Sequence, residues 1–221
     1  MGMTMKEAMH ARHMVRAYTK ELLSEEQVRL LEERIDSNNR NHGTSIRLVR
    51  GDSKAISGVM RLTMAKNVRE YFLMAGPDAP DLDERLGYAG ADLMLYAQTL
   101  GLNTWWVGGT FNRKRVKERA GADRPVGIVA VGLGATQGKP HKSKSATDIS
   151  SYEGEAPCWF SRGVEAALLA PTALNKQAFK LHGKGDVVNL ECGKGTFAGV
   201  DAGLVRYHFE LGAGRENFSW M

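Results

Sequence analysis

The chain reads as an α+β protein made of two similar halves, and three observations carry that reading. Apolar residues recur at helical spacing in six segments, strand-like runs lie between them, and one order of elements occurs twice. With 221 residues, 43% hydrophobic and 25% charged, the chain can bury a sizeable core as one large domain or two small ones.

A first helix is predicted over residues 4–12 and a second over 25–36, where Ser24 and Gln27 form a capping box and Val28, Leu31 and Ile35 make an apolar stripe. After the polar loop DSNNRNHG, TSIRLVRG alternates like a half-buried strand, with VREYFLMAG (68–76) as its neighbour. The helix over 81–100 is apolar nearly all round, which makes it central. NTWWVGG (103–109) is a short strand entering a glycine turn, NRKRVKER (112–119) an amphipathic helix, and PVGIVAVGLG (125–134) a buried strand. Residues 135–157 read as a long polar connection. A helix over 158–169, strands over 177–182 and 186–192, and a helix over 197–211 close the pattern.

The repeat changes the architectural reading. In each half a helix leads through a polar loop to paired strands and then to a long helix: SNNRNHGTSIRLV and AGADLMLYAQTLG in the first, PTALNKQAFKLHG and AGVDAGLVRYHFELG in the second. Asp92 and Asp201 fall at matching places, as do the Leu-Gly pairs at 100–101 and 211–212. The expectation is one domain over 1–221, with halves of about 1–135 and 150–221 related by a pseudo-twofold axis and a cleft where they meet.

Several function classes lose their anchor. No run reaches the eighteen or so apolar residues of a membrane span, and MGMTMKEAMHARH has no signal-peptide core, so a cytoplasmic protein is expected. Lys6 stands where a myristoylation motif needs Ser or Thr. Cys158 and Cys192 form neither a CxxC pair nor a zinc cluster. GLGATQGK (132–139) fails as a phosphate loop, with three residues between Gly134 and Gly138 and Pro140 in place of the hydroxyl residue. Gln137 replaces the third glycine of a dinucleotide fingerprint. His10 and His13 lack the carboxylate or cysteine company of a metal site, so none is expected. The basic clusters carry no interleaved aromatic residues, which argues against nucleic acid despite the net charge of +5.

What remains is a set of basic and amide groups. In ARHMVRAY, Arg12 and Arg16 are four apart and would share one face if the first helix persists; there they could fork around a phosphate or simply face solvent. KPHKSKS (139–145) has few neutralising acids nearby. In APTALNKQAFKLHG (170–183), Pro171 stops a helix and places Thr172, Asn175 and Gln177 in a short span. Such amides suit the edge of a flat heterocycle, and turn formation is the other use for them.

Together these segments resemble the FMN-dependent nitroreductase family, in particular its small branch with the asparagine loop in the second half of the chain. RHMVR resembles the family's RRSxR, PTALNKQ its PSxxNxQ loop, WWVGG its glycine turn beneath the flavin, and GKPHKSKS its late basic segment; the likeness spans nearly the whole chain. It implies a mixed or antiparallel sheet flanked by helices, with FMN as cofactor and NADH or NADPH as co-substrate. Hydride would pass to a nitroaromatic or quinone in a ping-pong sequence.

Carried onto this chain, the resemblance puts Arg12, His13 and Arg16 at the FMN phosphate or ring edge, with Arg16 tuning the flavin. His141, Lys142 and Lys144 would assist at the phosphate, Thr172, Asn175 and Gln177 at the ring or ribityl chain, and Val107, Gly108 and Gly109 at the reactive ring nitrogen. No side chain acts as acid or base in this scheme. His13 and Met14 stand where the family has a second arginine and a serine, which leaves a flavin-binding or flavin-sensing module as the alternative. The resemblance also implies a homodimer, unless the internal repeat lets one chain serve as both subunits.

Overall fold

A computed structural model describes residues 2–221. Helix α1 (Met5–Ala11) opens with a reciprocal cap: Glu7 N–H donates to Thr4 Oγ1 and Thr4 N–H to the Glu7 carboxylate. It stops at Arg12, whose ψ of 120° is extended. Arg12 and Arg16 therefore share no helix face, and the expectation that the first helix would pair them is corrected.

Helix α2 (Glu25–His42) has the predicted Ser24–Gln27 box but runs six residues past the predicted end at 36, to Gly43 at φ +58°. Its last turns are rich in poor helix formers, and tertiary bonds hold them. Asn38 Nδ2 donates to Asp92, and Asn39 both donates to Ile46 O and accepts from Ile46 N–H.

Strands β1 (Arg47–Val49) and β2 (Glu70–Gly76) flank a short helix α3 (Gly58–Thr63), which sequence reading missed because its six residues bury nothing. Then follow α4 (Leu82–Thr99), β3 (Asn103–Val107), α5 (Arg113–Ala120) and β4 (Arg124–Gly132). The four strands form an antiparallel sheet in the order β1-β2-β4-β3. Phe72 and Val129 enter the core shared with α4, while Tyr71, Leu73 and Ile128 enter a second one with Val116 of α5. Burial on both faces explains why β2 and β4 read as continuous apolar runs.

The polar connection folds further than expected. Helix α6 (Ala146–Ile149) is capped by Ser145 and Asp148, and β5 (Ser150–Glu153) pairs in parallel with β6 (Phe179–Lys184). Between them lies α7 (Cys158–Ala167); after β6 come β7 (Val187–Cys192), α8 (Ala198–Ala213) and β8 (Ser219–Trp220). The second sheet has the order β5-β6-β7-β8. Apart from the intervening α3, the order α2-β1-β2-α4-β3 is paralleled by α7-β6-β7-α8-β8, with the first two strands antiparallel in both.

Helices α4 and α8 join the two sheets in one core. They touch at glycines: a Cβ on Gly87 would run into the carbonyl of Val200, and one on Gly203 into that of Glu84. Only glycine lets two backbones approach so closely. Among the described residues no helix is long and apolar enough to cross a membrane.

Candidate functional site

The extended segment after α1 carries the first group. Arg12 is 6% exposed and makes no side-chain ion pair among the described residues. Burial lowers its pKa to about 10, so it stays charged at neutral pH. His13 is held below the usual histidine range, first by burial and then by Arg12. His208 of α8 is fully buried and pushed down to about 3 by burial. Its Nδ1–H donates to Leu204 O at 2.7 Å, and its Nε2 is left without a partner.

Two loops meet beside this segment. The basic loop starts on it: Gly138, at φ +72°, lies so close that a Cβ there would stand 2.8 Å from His13 Cβ and from Met14 O. His141 Nε2 then donates to Leu168 O at 2.9 Å, and Gln177 Nε2 donates to the same carbonyl at 2.8 Å. Lys144 N–H donates to Gln177 Oε1, and Asn175 Nδ2 donates to Lys142 O at 2.7 Å. Gln177 N–H donates in turn to Thr172 Oγ1. The amides predicted to read a heterocycle edge thus bind loop backbone, holding Lys142 and Lys144 in place.

That loop is strained. Leu174, Asn175 and Gln177 have φ of 52°, 55° and 44°, a left-handed region costly for residues other than glycine. Such strain gathers where a ligand or switch requires it. The loop is anchored to α8, where Asp201 accepts from Ala173 N–H at 2.8 Å and burial raises its pKa to about 6.

The other predicted residues lie further along. Arg16 stands over the ring of Trp105 at 5.2 Å, with its Nε buried and unpaired. Its carbonyl accepts from Lys66 N–H, beside a cavity of about 380 Å³ lined by Arg61, Lys66 and Arg69. Val107, two residues past Trp105, ends β3 and enters the Gly108–Gly109 turn. The ring of Phe197, at the start of α8, lies against Gly108. The structure therefore brings His13, His141, Lys142, Lys144, Thr172, Asn175 and Gln177 together through the two loops, with Arg12 beside His13 in the chain, while Arg16 lies against Trp105 of β3 and the glycine turn follows that strand.

The matched aspartates differ in company. Asp92 takes Arg34 Nε, Asn38 Nδ2 and Tyr207 OH, each at 2.7 Å, beside a polar cavity of about 580 Å³. The arginines of that cavity are committed, Arg34 to Asp92 and Arg215 to Glu210. Arg12 is not.

Residues 4–213 match the family described as "Putative TM nitroreductase". The chain belongs to this nitroreductase family. Its fold is similar to that of a "putative nitroreductase" from Thermotoga maritima, at a TM-score of 0.65 and 21% identity over 98% of this chain and 86% of the other. It is similar also to a "putative nitroreductase" from Desulfovibrio desulfuricans crystallised in complex with FMN, at 0.54 and 18% over 69% and 96%. A "putative NADH dehydrogenase/NAD(P)H nitroreductase" from Parabacteroides distasonis matches at 0.52 and 17% over 66% and 95%. No curated protein matches the sequence. The nitroreductase fold accounts for the two helix-flanked sheets.

Sequence reasoning passed over Phe197, Asp201 and His208 as site residues. Asp201 stood out only as a repeat match, and Phe197 sits in the glycine-rich GKGTFAG. His208 offered no signal beyond helical spacing.

Proposed function

We propose that this nitroreductase-family chain is an FMN-dependent oxidoreductase that passes hydride from NADH or NADPH to an electron-poor acceptor, donor and acceptor alternating at one site. The observation that carries the reading is Arg12, a buried cation without a protein counter-charge, in the segment on which the basic loop packs at Gly138. A charge kept in that state favours an anion from outside the chain.

The residues present fit FMN. Arg12, with Lys142 and His141, would hold the phosphate, and the Gly108–Gly109 turn would let backbone N–H groups approach the ring. Arg16, its Nε unpaired over Trp105, would face the pyrimidine edge, where a fixed cation favours the reduced state. Bound FMN supplies hydride acceptance and donation. The donor gives up a hydride and leaves oxidised; a quinone takes a hydride and a solvent proton to become its hydroquinone. The protein binds, orients and excludes water.

Met14, 47% exposed where the family has a serine, favours a second reading, a module that binds flavin without turnover. Stopped-flow mixing of the FMN-loaded protein with NADH and with NADPH decides. Bleaching much faster than free FMN supports the oxidoreductase; bleaching at the free rate supports the module, and a protein that takes up no FMN ends both. We also propose one domain of two halves, of about 1–135 and 150–221, joined at the α4–α8 crossing so that one chain does the work of a dimer. Sizing in solution tests this.

A further inference from the structure

Residues 53–69 carry four cations, Lys54, Arg61, Lys66 and Arg69, and no acid. The acids on either side are both buried and already paired, Asp52 with Arg115 and Arg119, Glu70 with Arg50. Arg61, Lys66 and Arg69 make no ion pair among the described residues, and all three line the cavity of about 380 Å³. Its remaining lining includes Ile56, Ala65 and Val68, which are buried and give it an apolar floor. Cations around an apolar floor suit a ligand that carries a phosphate together with a flat base.

Backbone bonds fix this cavity to the stretch that bears Arg16. Lys66 N–H donates to Arg16 O at 2.9 Å, and Tyr18 N–H donates to Lys66 O at 3.0 Å. Asn67, at φ +55°, donates through Nδ2 to Tyr18 O at 3.0 Å, and Asp52 N–H donates to Arg69 O at 2.8 Å. The cavity thus begins one hydrogen bond away from the residue whose guanidinium stands over Trp105. A nicotinamide donor that lays its reactive ring on a flavin at Arg16 still has its adenosine end to place.

Resting on the flavin reading above, we infer that this cavity takes the adenosine end of the hydride donor, with Arg61, Lys66 and Arg69 around its 2′-phosphate, so that the donor is NADPH. NADH presents a ribose hydroxyl there and leaves three cations without an anion. The adenine rests on the apolar floor, where covering Ile56 and Val68 adds to the charge pairing.

The test has two arms. Titration calorimetry of the purified protein with adenosine 2′,5′-bisphosphate, 5′-AMP and inorganic phosphate reads the cavity without turnover. The bisphosphate should bind at least about tenfold more tightly than the other two, and added salt should weaken it. Arg61 and Arg69 are exposed, so Arg61→Gln and Arg69→Gln should melt with the wild type while each lowers bisphosphate affinity about fivefold; Arg69→Lys should lose less. In the second arm, stopped-flow bleaching of the FMN-loaded protein should favour NADPH over NADH by at least about tenfold, and the double variant should lose most of that preference. Equal affinity for the bisphosphate and AMP, inorganic phosphate binding as tightly as the bisphosphate, or equal bleaching by the two donors overturns the inference and leaves the flavin reading intact. Wild-type protein that takes up no FMN overturns both.

Discussion

Lys144 donates twice to Gln177, through its N–H to Oε1 at 2.7 Å and through Nζ to the backbone carbonyl at 2.9 Å. Gln177 is 1% exposed and donates on to Leu168 O, so one buried amide locks the basic loop to the left-handed loop. Gln177→Ala leaves Lys144 N–H without its acceptor and Leu168 O with His141 but not Gln177 as donor, at a cost of about 1–3 kcal/mol. We expect lower stability by urea unfolding together with faster proteolysis near 140–145. Lost stability without loop cleavage would show that the two loops hold together by other means.

Arg12 makes opposite predictions for the two states of the protein. Its buried charge has no protein partner, so Arg12→Met should leave the protein without FMN as stable as before, or more stable. FMN affinity should fall by about 2 kcal/mol, while riboflavin, which lacks the phosphate, should bind as before. Thermal melts and parallel titrations with the two flavins read both effects. Equal losses for FMN and riboflavin would remove Arg12 from the phosphate.

Asp201 should make stability depend on pH. Burial raises its folded pKa to about 6, above the ordinary 3.8, so the folded state binds the proton more tightly than the unfolded state. The contribution is full below about pH 4 and is lost as pH rises through about 6. Asp201→Asn keeps an acceptor for Ala173 N–H and should flatten that stretch of the profile. Denaturant unfolding of both proteins between pH 4 and 7 provides the comparison.

Gly203→Ala should be costly out of proportion to one methyl group. The added carbon meets the Glu84 carbonyl at the α4–α8 crossing, where neither backbone can yield without parting the helices. Overpacking of this kind costs about 1–3 kcal/mol. A urea midpoint unchanged from wild type would show that the crossing is looser than the structure has it.

Much of the fold was legible because its causes are local. The Ser24–Gln27 box, the buried runs of β2 and β4 and the glycine turn after Trp106 each announce themselves within a few residues. Long-range contacts were not legible. Helix α2 continues through Ser37–Asn41 only because Asp92 and Ile46 receive its asparagines, and β5 is a strand only because β6 lies beside it. The likeness of the segments AGAD and AGVD was visible because a repeat is a property of the string itself.

For the candidate site, residue type and order sufficed to name a family and to single out Arg12, Lys142, Lys144, Asn175 and Gln177, because charge and amide chemistry belong to the side chain. Their division of labour came from the tertiary structure alone. Burial without a counter-charge distinguishes Arg12 from the paired arginines Arg34 and Arg215, and the direction of each amide makes Asn175 and Gln177 holders of loops. Burial and direction are relations between distant parts of the chain, and they exist only once α8 has brought the last third of the sequence against the first dozen residues.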